Sequence, residues 1–174
     1  DRSQVVAIPN CIDLENYHLS QSSKKDIDLV FTGKMDYRPN VDGMLWFVQE
    51  IWPLIQQQKP NATLAIVGKN PSESILALGN LKGITVTGAV PEIQPWLDSA
   101  QVMVMPLRMG SGTRLKLIQA LAAGLPIVST TNGAEGYPIS AGKDLLIGDT
   151  PDQFATEVCA LLDSPNLREK LGNN

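Results

Sequence analysis

Histidine is nearly missing from this sequence: His18 is the one copy in 174 residues, set in a polar stretch without an obvious partner. A surface position suits it better than a catalytic one. Cysteine is almost as scarce. Cys11 and Cys159 have neither metal-ligand nor redox spacing, which excludes the familiar zinc and dithiol frameworks and fits a reducing compartment. No apolar run approaches the roughly 20 residues that span a bilayer, and no secretory leader precedes the first strand-like segment. A cytoplasmic location is therefore expected, with peripheral contact at the inner face of the membrane as an option. Basic residues number 14 against 18 acidic ones, for a net charge of −4, which argues against nucleic acid as the main partner but leaves room for a local basic pocket. Repeats, low-complexity tracts and internal linkers are also lacking. So is an initiator methionine, and the reading is one domain, residues 1–174, cut from a longer chain.

What is present is alternation. The chain is 43% hydrophobic and 18% charged, ordinary values for a packed globular domain. Val5 to Pro9 is strand-like at the start. Apolar runs at Ile27–Thr32, Ala62–Val67, Ile84–Thr87, Val102–Leu107, Ile127–Thr130 and Leu145–Ile147 then read as buried strands. Helical patterns separate them. Val41–Gln57 carries Met44, Leu45, Val48, Ile51, Leu54 and Ile55 on one face, and Ser72–Leu78 is weaker. A short helix with Pro91 in its first turn runs through Trp96 and Ala100, and Pro151–Leu162 has a capping residue at Asp149 or Thr150. Trp46, Trp52 and Trp96 fall within these helices as packing residues. Near-continuous apolar strands alternating with helices predict an α/β fold: a Rossmann-like parallel sheet of about six strands, covered on both faces.

A ligand should then sit outside the carboxyl ends of the strands. The loops at Gly33–Asn40, Gly68–Pro71, Gly88–Glu92, Arg108–Thr113 and Thr131–Tyr137 all fall there. The fourth is the most informative. A strand enters the turn Gly110-Ser111-Gly112, the turn opens a helix that ends at Gly124, and Arg108, Arg114 and Lys116 flank it. Unpaired amides at a helix N-terminus and nearby cations act in the same direction on an anion, so this turn suits a phosphate or diphosphate. On a helix Thr113, Lys116 and Ala120 share a face with Gln119 beside them, while Arg114 points nearly the other way. Lys116 is therefore the preferred anion ligand. Lys34 follows the strand-terminal Gly33 and is a second candidate. Ser111 has no base to activate it as a nucleophile.

Taken in order, these pieces resemble a known family. Ile8-Pro9-Asn10-Cys11-Ile12-Asp13, Phe31-Thr32-Gly33-Lys34-Met35, Ala65-Ile66-Val67-Gly68, Val86-Thr87-Gly88-Ala89-Val90, the stretch from Met105 to Thr130, and Asn132-Gly133-Ala134-Glu135-Gly136 are similar to the C-terminal, donor-binding domain of group 1 glycosyltransferases, retaining enzymes with the two-domain B-type fold. The resemblance covers essentially the whole chain. It implies transfer of a hexose-type sugar in glycan synthesis, from a nucleoside-diphosphate sugar to a glycan, lipid-linked or small-molecule acceptor held through an N-terminal domain. The nucleotide sugar would be a co-substrate, with no cofactor and no metal. It also implies roles. Lys116, Arg108 and Lys34 would stabilise the departing diphosphate. Gly33, Gly110, Ser111, Gly112, Thr113, Arg114, Gln119 and Glu135 would contact the donor, and Gly88 with Val90 would cup the base.

Two features depart from the family pattern. A glutamate pair eight positions apart is replaced by Ser111 and Gln119, and Asn40 stands about where a second basic residue of the first loop would be. Ser111 is short and uncharged. Gln119 can still bond a ribose diol, without a carboxylate's charge-assisted strength. A non-catalytic nucleotide-sugar-binding module, and more remotely a sugar-nucleotide epimerase, therefore stay open beside the transferase. The chain alone is expected to bind nucleotide without transferring sugar.

Overall fold

The computed structural model describes residues 10–17, 19 and 25–173. The strand-like residues 5–9, with the Ile8-Pro9 part of the opening motif, and His18 lie outside the described residues. Six strands form one parallel sheet: β1 (Ile27–Thr32), β2 (Leu64–Val67), β3 (Ile84–Gly88), β4 (Ala100–Met105), β5 (Ile127–Ser129) and β6 (Leu146–Ile147), in the order β3-β2-β1-β4-β5-β6. The helices are α1 (Arg38–Trp46), α2 (Trp52–Gln58), α3 (Glu73–Leu78), α4 (Gln94–Ser99), α5 (Leu115–Ala122), α6 (Pro151–Asp163) and α7 (Pro165–Gly172). The Rossmann-like architecture read from the alternation is the one observed. Strand order reverses between β1 and β4, which opens a crevice at their carboxyl ends.

The middles of the central strands are apolar, with Asp28, Thr32 and Gln101 at or near their ends. Leu29, Val30 and Phe31 of β1 and Val102 to Met105 of β4 have no solvent exposure, because helices cover both sheet faces. On one face Phe154 of α6 meets Phe47 edge-on at 5.8 Å and Trp46 at 6.3 Å. Trp46 and Trp52 are buried there as packing residues. Helix α6 starts from a full capping box, in which Thr150 Oγ1 accepts from the Gln153 amide and the Gln153 side chain accepts from the Thr150 amide. Thr150→Ala should cost about 1 kcal/mol in a denaturant melt. An unchanged midpoint would show that Pro151 and packing suffice.

Several boundaries differ from the sequence reading, and proline or glycine supplies the reason. The first helix starts at Arg38, three residues early, since Pro39 is well suited to a first turn. It does not run evenly to Gln57. A π turn at Phe47–Ile51 separates α1 from α2, just before Pro53, whose missing N–H and bulky ring disrupt regular α-helical bonding. Strand β4 ends at Met105 because Pro106 cannot donate to a ladder, and Ala100 opens this strand instead of closing a helix. Pro91 lies outside α4, whose first turn holds Pro95. Helix α5 begins only at Leu115, because Gly110 and Gly112 take φ of +103° and +86°, a left-handed conformation incompatible with a right-handed helix.

Candidate functional site

The crevice is built on a close approach of two strand ends. A Cβ added at Gly68, after β2, would lie 1.6 Å from the Gly33 carbonyl oxygen after β1. A Cβ at Gly33 would meet Asn40 Nδ2 at 2.7 Å and Lys116 Nζ at 2.8 Å. Backbone contacts carry this register across the rim: the Gly33 amide donates to Val67 O at 3.0 Å and the Gly68 amide to Gly88 O at 3.2 Å. Three of the strand-terminal loops are thereby locked together.

Lys116 leaves the first turn of α5 and crosses to the end of β1. Its ammonium donates to Asn40 Oδ1 at 2.7 Å and sits 3.9 Å above the Phe31 ring. Burial, and secondarily the Arg114 guanidinium, push its pKa from 10.5 down to about 7. Among the described residues no carboxylate forms an ion pair with it. Asn40 is only 5% exposed and is held from its other side, Nδ2 donating to Lys34 O at 2.8 Å. The sequence reading placed a missing cation at Asn40. The structure brings the Lys116 cation to that spot from α5.

The other cations are engaged differently. Arg108 forms a bidentate pair with Asp42, at 3.0 and 2.7 Å, and stacks over Trp46 at 5.2 Å. The Asp42 bonds raise its pKa further. Its charge is thus compensated by α1. Lys34 is exposed and pairs with Asp36 at 3.2 Å. Arg114, 7% exposed, turns under the glycine loop: Nη1 donates to Ser111 O at 3.3 Å, and Nη2 to Asn132 Oδ1 at 3.3 Å and Asn132 O at 3.4 Å. It braces the turn against the loop after β5, while its Nε has no protein partner.

The remaining candidates fall around this frame. Gly88, Ser111 and Gly112 stand exposed or open at the rim, where a Cβ on Gly88 or Gly112 would touch nothing within 4 Å, and Val90 packs partly against the core. Gly110 lies against Arg114, whose Nη1 would be 3.1 Å from an added Cβ. Thr113 Oγ1 accepts from Asn10 Nδ2 at 2.7 Å, and Gln119 Nε2 donates to Tyr17 Oη at 2.6 Å, so both face the chain's opening segment. Glu135 lines a cleft of about 720 Å³ with Arg108, Thr131, Asn132 and Asp149. Asn40, Phe31, Asn132 and Tyr17 were not among the expected site residues. Only Tyr17 left no signal: Asn40 stood out as a departure, Phe31 precedes the strand-terminal glycine, and Asn132 opens the last rim motif.

Chemically, among the described residues the crevice offers Lys116 without an acidic partner, beside the exposed Gly110–Gly112 turn, which is a setting for a multiply charged anion. Residues 26–164 match the sequence profile described as glycosyl transferases group 1. The chain belongs to this family. Among curated relatives, D-inositol 3-phosphate glycosyltransferase 2 of Catenulispora acidiphila is 27% identical over 161 residues, covering 84% of this chain and 37% of the relative. The chain spans well under half the length of the curated relatives it matches. The C-terminal domain of the group 1 glycosyl transferase LpcC from Francisella tularensis superposes with a TM-score of 0.75 at 18% identity, over 94% of each chain. The pneumococcal O-GlcNAc transferase GtfA, solved with UDP and GlcNAc, gives 0.68 at 20% identity over 90% of this chain and 32% of its own. These structural likenesses establish the B-type C-terminal-domain fold. In this group 1 glycosyl transferase domain, Lys116 and Asn40 meet beside the carboxyl end of β1.

Proposed function

We propose that this chain is the donor-nucleotide half of a retaining glycosyltransferase, moving a sugar from a nucleoside-diphosphate donor to a glycan, lipid-linked or small-molecule acceptor. The observation that carries the reading is Lys116, held at the strand switch point with no acidic partner among the described residues. As the bond to the sugar breaks, negative charge gathers on the diphosphate, and a nearby cation favours that state over the ground state. Amides of the Gly110–Gly112 turn add fixed dipoles to the same end, so the mechanism proposed needs no metal. Arg108 and Lys34, both already paired with aspartates, contribute less than Lys116, and Arg114 shapes the turn. The base lies by Gly88 and Val90, and Gln119 with Glu135 contacts the sugars.

Calorimetric titration with UDP, GDP and ADP tests this. One nucleotide should bind in preference to the others, and Lys116→Ala should weaken it at least about tenfold, as expected for a lost charge-assisted contact. Binding that ignores Lys116 would overturn the assignment. The chain alone should not transfer sugar, and detectable transfer by purified chain would refute that part.

A binding module without transferase activity is favoured by one observation: Gln119 is neutral and its amide is occupied by Tyr17. Gln119→Glu in the full-length protein separates the two. A large rate gain over a barely active parent supports the module, whereas no change in an active enzyme removes it.

A further inference from the structure

Lys34, Lys59 and Arg108 each pair with a carboxylate, Asp36, Asp163 and Asp42 respectively. Lys116 pairs instead with a neutral amide. That amide cannot exchange its ends freely, because Nδ2 is anchored on the Lys34 carbonyl and leaves Oδ1 as the acceptor for Lys116. Among the described residues, the elements packed on the ammonium bring no compensating charge. From β1 comes the Phe31 ring, from the first loop Gly33 and a Lys34 already paired with Asp36, from α1 Asn40, and from its own turn the like-charged Arg114. The N-terminal dipole of α5 adds further positive potential.

We propose that Asn40 is a positioning residue that keeps Lys116 uncompensated, so that an arriving diphosphate is matched by uptake of a proton from solvent onto Lys116 Nζ. This rests on the donor-site reading above. The amine gains one proton from the buffer to become an ammonium, and no bond of the ligand is made or broken. The depression of the lysine pKa to about 7 in the free chain agrees with this geometry, since a group near that value is only half charged at neutral pH. A bound anion restores its preference for the charged form.

Nucleotide sugars are the right probes, because their bridging phosphates hold no proton near neutrality, unlike the terminal phosphate of a free nucleotide. UDP-glucose, GDP-mannose and ADP-glucose are titrated calorimetrically in buffers of different ionisation enthalpy, from about pH 6 to about pH 9. The wild-type chain should take up close to one proton per ligand at about pH 8, and its affinity should fall about tenfold per pH unit above about pH 7. Asn40→Asp is isosteric and supplies the missing carboxylate. It should abolish the uptake, flatten the pH profile and weaken binding at least about tenfold. A purely structural Asn40 would leave the profile of the variant like that of the wild type, which would overturn the proposal. Should the variant fail to fold, the Lys116 13Cε resonance of the wild type decides. A midpoint near pH 7 that rises with ligand supports the proposal, and one near pH 10 without ligand defeats it. Binding with neither uptake nor pH dependence would defeat the proposal and leave the donor site standing. Binding of none of the three sugars would bring down both.

Discussion

Lys116→Met is expected to be more stable than the wild-type chain at about pH 6 and less stable at about pH 10. Two effects of opposite sign produce the crossover. Loss of the bond to Asn40 Oδ1 removes a donor from a buried acceptor and costs about 1 kcal/mol at any pH. Removing the charge relieves a penalty that depends on pH. The folded-state pKa of Lys116 is about 7 against 10.5 for an ordinary lysine, so the unfolded chain binds more protons between those values and wild-type stability rises with pH across that window. The penalty is fully present below about pH 7 and gone above about pH 10. After discounting for partial exposure, relief of about 2–3 kcal/mol outweighs the lost bond on the acid side. Methionine replaces the Nζ that sits over the Phe31 ring with an apolar side chain of similar length, so packing changes little. Urea melts at the two pH values test the crossover, and a variant less stable at both would show that the ammonium is not penalised by its setting. The same variant should bind nucleotide about 10- to 100-fold more weakly, so the residue that weakens the fold at neutral pH is the one the site uses.

Gly68→Ala should be among the most damaging single substitutions in the domain. Its Cβ would fall 1.6 Å from the Gly33 carbonyl oxygen, a backbone atom that cannot swing aside. Relief requires parting β1 from β2 at the rim, at the expense of the Gly33–Val67 and Gly68–Gly88 backbone bonds. A cost of about 3 kcal/mol or more follows, or a fall in melting temperature of about 10 °C. Nucleotide affinity should drop with it, because Gly33 carries the pocket that receives Lys116. Gly112→Ala is the comparison. Nothing lies within 4 Å of its Cβ, so only the strain of a left-handed φ of +86° remains, about 1 kcal/mol. Thermal melts of the two variants that fell by similar amounts would contradict the argument from strand approach.

Much of the domain is legible from local pattern. Leu29–Phe31 and Ile127–Val128 are apolar because a parallel strand is buried on both faces, and that requirement is written residue by residue. Gly110 and Gly112 mark the turn for the same reason, since left-handed backbone demands glycine locally. At Arg38, Met105 and Leu115 a proline or glycine changed what the apolar period alone suggested.

The sequence by itself determined the alternation of strand and helix, the parallel sheet, and the rim of loops where an anion could bind, since each follows from short-range periodicity and backbone preference. It also nominated Arg108, Arg114, Lys34 and Lys116 together, as cations near glycine turns. Helical phase already set Lys116 ahead of Arg114, but only the tertiary structure showed which partner each cation meets. Arg108 finds Asp42 at a distance of 66 residues along the chain, and Arg114 finds Asn132 at 18. Lys116 meets Asn40 across 76 residues, with no carboxylate among its described partners. Whether a charge is spent within the fold or kept for a ligand depends on what the chain brings beside it from far away, and Coulomb attraction between such partners leaves no trace in local spacing.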